Sequence, residues 1–384
     1  MISFRHSNPT EILFGKGQIS ALPQVLPADA AVLLLYGGGS IKKNGVYGSV
    51  IAGLSGHQVA EFGGIEANPV YETIMKARQL ARDSGSTFVL GVGGGSVIDA
   101  AKFLATIIAL DVDDPWEHLV AGGEPQTILP VGAILTLPAT GSESNPVSVI
   151  SHAGRHLKLP FSYNGARPRF AILDPSTMST LSRRQLENGA VDAFTHVLEQ
   201  YLTLPVNTPV QFGFSEALLD VLIKWGPRLV ADNSETAREN VMWAANQALN
   251  GLIGAGVPQD WSTHMIGHAI TALYDIDHAR TLSMVMPSVL RHQLQAKLPM
   301  LARYARRVWK IEEADDGKAA EAAIVATENW FATMGCPIRT SQVQDVTVSA
   351  EDIVAHIEQA GQFPLGETRS ITGADVRAIL ARAA

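Results

Sequence analysis

Residues 88–110 read FVLGVGGGSVIDAAKFLATIIAL: an apolar run that halts at Gly93, Gly94, Gly95 and Ser96 and then resumes with apolar residues at three- and four-residue spacing. Phe88 to Val92 is short and apolar throughout, as in a strand buried on both faces. Ser96 to Leu110 has the periodicity of an amphipathic helix. Strand, glycine turn and helix together are the repeating unit of a doubly wound parallel sheet.

The same alternation extends in both directions. Short apolar runs recur as EILFG near the start, AVLLLY at 31–36, HQVAEF at 57–62, VGAILTL at 131–137 and FAILD at 170–174, and a second helical spacing spans Pro69 to Asp83. Past Pro175 the strand signal ends and alanine- and leucine-rich helical spacing continues to the last residue. Ser182 followed by Gln185 has the form of a capping box. The expected architecture is an α/β dinucleotide-binding domain over residues 1–178 and an all-helical, metal-binding domain over 179–384. A chain of 384 residues is also longer than one hydrophobic core usually serves.

Composition excludes several functions. With 46% hydrophobic and 17% charged residues the chain is globular, and a net charge of -8 disfavours a nucleic-acid partner. The one cysteine, Cys336, forbids an intrachain disulfide, and no apolar run reaches transmembrane length or forms a leader, so a cytoplasmic protein without membrane attachment is expected. No Gly-x-Ser-x-Gly elbow is present, which disfavours acyl transfer.

AVLLLY also ends in glycines, Gly37-Gly38-Gly39-Ser40, so two strands end alike. Backbone amides at such turns attract phosphate. Neither copy is a P-loop, and GVGGGSVIDAAK has Ile98 where a standard dinucleotide fingerprint ends in glycine. Ser96, with Asp99 three residues on, would cap the second helix. After the first turn stand Ser40, Lys42 and Lys43 in place of an acidic residue. A hydroxyl and a lysine suit a 2'-phosphate, favouring NADP over NAD, with one lysine, Lys43, expected to touch it.

Asp192 and His196 lie four residues apart, hence on one helix face, and His264, His268 and His278 follow. A carboxylate with three imidazoles suits iron(II) or zinc. Spacing alone leaves either His264 or His268 to join His278, and Glu199 is a further candidate. Met265 stands where a zinc protease would carry its glutamate, so peptidase chemistry is disfavoured. His6, His57, His118, His152, His156, His292 and His356 show no such grouping.

Together, GVGGGSVIDAAK, LTLPATGSES, GAVDAFTHVLEQY and the stretch from His264 to His278 resemble, in order, the iron-containing (group III) alcohol dehydrogenase family. FGKG, YGGGS, EFGGIEANP and LNGLIGAGVPQDW point to its branch of NADPH-dependent aldehyde reductases and butanol dehydrogenases. The resemblance implies a Rossmann-like domain followed by a helical one. It implies a metal, Fe2+ or Zn2+, on Asp192, His196, His264 and His278, with His268 beside it as a substrate contact or proton relay. Contacts to NADP(H) would fall on Gly38, Gly39 and Ser40 at the adenosine end and on Gly94, Gly95, Ser96 and Asp99 at the pyrophosphate. Thr136, Leu137, Thr140, Asn145 and Lys158 would lie near the ribose and nicotinamide. Many NAD-using relatives carry aspartate at the position of Gly39. The chain departs from the family's Thr-Thr-x-Gly-Thr-Gly-Ser-Glu pattern at Leu137, Pro138 and Ala139. The implied reaction is reversible hydride transfer between small primary alcohols and aldehydes, in a homodimer. A lyase or cyclase of the dehydroquinate synthase type and a non-catalytic NADP(H)-binding protein are the alternatives.

Overall fold

All six apolar runs pair into one parallel sheet. In the computed structural model, which describes residues 1–384, they are β1 (Glu11–Phe14), β2 (Ala31–Tyr36), β3 (Gln58–Phe62), β4 (Phe88–Gly94), β5 (Val131–Leu137) and, past a hairpin, β8 (Phe170–Leu173). Their order across the sheet is β1-β8-β5-β4-β2-β3, every neighbour parallel. The hairpin is β6 (Val147–His152) with β7 (Leu157–Ser162), antiparallel and outside the main sheet. Sequence patterning does not signal it because its strands mix polar and apolar residues and Pro160 interrupts β7.

Parallel strands are covered on both sides, and β2 shows how. Val32 and Leu34 enter one apolar cluster with Val46 and Val50 of α2 (Val46–Gly53). Leu33 and Leu35 enter the opposite cluster with Ile74 of α3 (Tyr71–Asp83) and Phe103 and Leu104 of α4 (Gly95–Ile107). Short helices Leu22–Val25 (α1) and Pro115–Val120 (α5) complete the layers.

α4 is buried along nearly its whole length, Lys102 included. Its ammonium reaches Ser142 O at 3.0 Å, Asn145 Oδ1 at 3.2 Å and the Val147 carbonyl, and lies 3.3 Å from Asp99 Oδ1. Asp99 in turn accepts the Ser142 hydroxyl and the Val149 amide. This charge-assisted network holds the segment from β5 to β6 against α4.

The helical half comprises α6 (Arg183–Tyr201), α7 (Pro209–Asp232), α8 (Glu235–Ala248), α9 (Ser262–Tyr274), α10 (His278–His292), α11 (Leu294–Arg307), α12 (Asp316–Thr333), α13 (Ala350–Gln359) and α14 (Gly373–Ala383). α6 packs against α7, α8 and α10. Ile266, Ile270, Val285, Val289, Ile353 and Ile379 form a second core among α9, α10, α13 and α14.

The chain divides into Asn8–Leu181 and a unit of Ser182–Ala384 with Met1–Ser7. The division thus falls three residues beyond the expected position 178, and the first seven residues join the helical unit. The cause is local. The 3-10 turn Pro175–Thr180 stays with the sheet because Asp174 caps it and Thr177 Oγ1 donates to Leu135 O at 3.1 Å. Ile2 N donates to Gly256 O at 3.0 Å in the helical unit.

Removing one partner of a buried charge network costs about 3–5 kcal/mol. Lys102→Met is therefore expected to lower the urea midpoint of the sheet unit by that equivalent; a change below about 1 kcal/mol would contradict the anchoring role.

Candidate metal centre and cofactor turns

α6 begins at a complete capping box, in which Ser182 Oγ accepts from Gln185 N at 3.3 Å and Gln185 Oε1 accepts from Ser182 N at 3.0 Å. The start fixes the helix phase. Asp192, His196 and Glu199 then fall along one face, all buried. α9 delivers His264 and His268 one turn apart, and His278 is the first residue of α10. Arg184 and Asn188 of α6 both donate to Asp277 Oδ2, at 2.6 and 2.7 Å, and so tie the start of α10 to α6.

Asp192 Oδ1 is the common neighbour. It lies 3.5 Å from His196 Nδ1, 3.8 Å from His264 Nε2 and 3.9 Å from His278 Nε2. Two atoms each about 2.1 Å from one ion at a tetrahedral angle would stand about 3.4 Å apart. The observed spacings are near that and long for hydrogen bonds. Asp192 Oδ1 and His264 Nε2 are buried without a hydrogen-bond partner, a condition that costs about 1–3 kcal/mol per group unless something fills it. The residues therefore fit a divalent ion. Ligand atoms of Asp192, His196 and His264 all lie within 4.8 Å of one another; His278 stands outside that trio and is the most exposed of the four, its side chain 21% accessible.

Electrostatics agree with the distances. Burial opposes the charge on Asp192, but His196, His264 and His278 outweigh it and hold the carboxyl well below its ordinary range. Burial likewise opposes charge on His264, yet Glu199 and Asp192 push its pKa up to about 9. A metal ion held here would take the place of the proton on Nε2.

Glu199 is not arranged as a ligand. One carboxylate oxygen accepts Thr263 N at 2.6 Å and the other meets His264 Nδ1. His268 stacks on His278 with ring centroids 4.7 Å apart and 30° between planes. Trp261, at a left-handed φ of 63°, packs edge-on against His264 at 5.2 Å and against His196 at 6.1 Å. The roles of Asp277 and Trp261 rest on partners distant in sequence and no spacing signals them, while spacing marks Glu199 only as a further ligand.

In the sheet unit, β4 leads into α4 at Gly94, which takes the N-cap position with no side-chain cap. The expected Ser96–Asp99 cap does not form. Ser96 Oγ donates to Ala67 O, and Asp99 is committed to Ser142, Val149 and Lys102. The helix amides stay uncapped, and a Cβ on Gly95 would come within 2.3 Å of Thr140 Oγ1. Asp99 thus anchors the 140–149 segment. Asn145 does likewise, donating to Thr140 O at 3.3 Å and Gly141 O at 2.9 Å. Lys158 Nζ donates to Asn68 Oδ1 at 2.9 Å; Thr136 and Leu137 are half-buried at the end of β5.

The turn after β2 differs from its twin. Gly39 adopts φ 87° and leads into a 3-10 turn, Ser40–Lys42, before α2 begins at Val46. Lys42 Nζ sits 4.8 Å from the Tyr36 ring and 4.7 Å from that of Tyr47, and 3.6 Å from Glu61 Oε2. Lys43 is exposed.

Comparison with known proteins is consistent along the chain. The profile of iron-containing alcohol dehydrogenases matches residues 9–175, and that of the Fe-containing alcohol dehydrogenase C-terminal part matches 187–384. The chain is 48% identical over 375 residues, 97% of each sequence, to the NADPH-dependent aldehyde reductase YqhD of Escherichia coli. It is 37% identical, over 99% of each, to the probable NADH-dependent butanol dehydrogenase 1 of Bacillus subtilis. A crystal structure of E. coli YqhD superposes with a TM-score of 0.97 at 46% identity, covering 100% of this chain and 99% of that one. The NADH-dependent butanol dehydrogenase A of Thermotoga maritima gives 0.94 at 32% identity, with the same coverage.

Asp192→Asn keeps the side-chain shape and removes the charge the imidazoles surround. Zinc titration of the metal-free variant is expected to give a dissociation constant at least about tenfold higher, equivalent to about 1.4 kcal/mol or more of lost binding, and the purified variant to hold less metal, with helical circular dichroism unchanged. Full metal content would contradict the centre.

Proposed function

The chain belongs to the iron-containing alcohol dehydrogenase family, and from that premise we propose that it is an NADP(H)-linked, metal-dependent enzyme interconverting small primary alcohols and aldehydes. The observation that carries the reading is the buried carboxylate of Asp192 among three imidazoles, two of its candidate ligand atoms lacking any hydrogen-bond partner. Asp192, His196, His264 and His278 would hold the ion. When bound, a divalent ion supplies positive charge that stabilises the negative charge developing on the substrate oxygen. The nicotinamide supplies or accepts the hydride.

The protein's own residues divide the remaining work. Asp192 brings the one formal negative charge and the imidazoles remain neutral donors, so the set retains net positive charge with a divalent ion. His268, stacked on His278, is assigned to the substrate side as a contact or proton relay. The uncapped amides of Gly95 and Ser96 bind the pyrophosphate. Gly94 lets the backbone approach, and Thr136, Leu137, Thr140 and Lys158 line the ribose and nicotinamide end. Asp99 and Asn145, beside the pyrophosphate and the nicotinamide end, also brace that segment.

Gly38, Gly39 and Ser40 take the adenosine end. Gly39 offers no carboxylate to repel a 2'-phosphate, and Lys43 is left exposed to pair with it, whereas Lys42 is engaged by two tyrosines and Glu61. The 48% identical relative is NADPH-dependent, while the more distant butanol dehydrogenase of B. subtilis is named as NADH-dependent. Turn chemistry and the nearer relative both favour NADP(H). No helix is long and apolar enough to cross a membrane, and the lone cysteine is buried. A cytoplasmic homodimer fits these features, with β1 lying at a sheet edge where a strand of a second copy can pair.

NADPH consumption with butanal is the direct test. Metal-loaded protein is expected to turn over, and turnover should vanish on chelation and return on adding iron(II) or zinc; undiminished activity after verified metal removal would overturn the proposal. Lys43→Ala should raise KM for NADPH about tenfold, the loss of one charge-assisted contact, with KM for NADH nearly unchanged. Lys42→Ala should move the NADPH value less.

A further inference from the structure

Resting on the reading of Asp192, His196 and His264 as ligands, we infer that Glu199 is a positioning residue that fixes which nitrogen of His264 faces the metal. An imidazole can offer a lone pair from only one nitrogen while the other carries hydrogen, and the partner of that second nitrogen sets tautomer and ring orientation. Here the partner is Glu199. Its carboxylate, 4% accessible, meets His264 Nδ1, which leaves Nε2 directed at Asp192 Oδ1, 3.8 Å away.

Glu199 also grips the backbone that carries His264. Its other carboxylate oxygen accepts Thr263 N at 2.6 Å, and its own carbonyl accepts Asp260 N at 3.1 Å. Three successive attachments, at Asp260, Thr263 and His264, therefore lock the entry of α9 onto α6. Glu199 lies three residues after His196, so one helix face presents two ligands and orients a third. A carboxylate is the group this position requires. An amide in its place could accept from Thr263, but its NH2 could also donate to Nδ1 and leave the hydrogen on Nε2, the tautomer that cannot ligate.

The test uses the full-length protein stripped of metal and titrated with zinc against a competing chelator, and with cobalt(II) followed by visible absorption. For Glu199→Gln the zinc dissociation constant is expected to rise 10- to 100-fold, as for loss of comparable carboxylate partners, and the cobalt spectrum to change. Glu199→Asp, which keeps the charge but is shorter, should recover part of the affinity. Wild-type zinc affinity and an unaltered cobalt spectrum in Glu199→Gln would overturn the inference, as would a lowered melting temperature with unchanged metal binding. If Glu199→Gln does not fold, histidine 15N NMR of the zinc-loaded wild-type protein decides, since zinc on His264 Nδ1, or no hydrogen on Nδ1, would overturn it. Failure of the wild-type protein itself to take up zinc or cobalt would instead overturn the metal-centre reading.

Discussion

A carboxylate buried among three imidazole rings is the constraint on which the helical unit depends. Asp192 cannot be ionised in an apolar interior without compensation, and the cost of an isolated buried charge exceeds the net stability of most domains. Its neighbours are too far for hydrogen bonds and near the spacing that ligands of one ion adopt. Much of the surrounding structure is arranged to hold those neighbours still. The capping box fixes the phase of α6, Arg184 and Asn188 hold Asp277 so that α10 starts at His278, and Glu199 holds the first turn of α9.

The sheet unit solves a different problem, keeping bare backbone at the start of α4, where we propose that the cofactor's pyrophosphate binds. Its inner strands β2, β4, β5 and β8 are buried on both faces, and α4 packs buried against them up to the end of β4. Glycine at position 95 permits this beside Thr140, and the helix start remains uncapped. Lys102 and Asp99 form the internal counterpart. Their charges are satisfied by each other and by the 142–149 segment, so that segment holds its conformation without depending on a ligand.

Patterns that are local in sequence were legible. The six strand runs, the switch to helical spacing after Pro175, the Ser182 capping box and the two glycine turns all depend on residues within a few positions of each other. Asp192 and His196 share a face because a helix has 3.6 residues per turn. What depended on long-range contact was not legible. The Ser96–Asp99 pair has the spacing of a cap, but Asp99 finds a lysine and a hydroxyl on packed neighbours and turns inward instead. Glu199 looks like a ligand by spacing; only the fold brings Thr263 and His264 to its two oxygens. Lys42 and Lys43 are equivalent in sequence, and it is Tyr36, Tyr47 and Glu61 that separate them. The β6–β7 hairpin has mixed polarity and Pro160 in β7, and only the fold places β6 against α4.

We propose that these side chains enclose one catalytic divalent ion. Anomalous diffraction from crystals, collected on both sides of the iron and zinc absorption edges, tests it most directly. A single peak about 2.0–2.2 Å from Asp192 Oδ1 and the facing nitrogens of His196, His264 and His278 is the predicted result. Crystals of fully active enzyme with no peak there, or with the ion held by other residues, would contradict it.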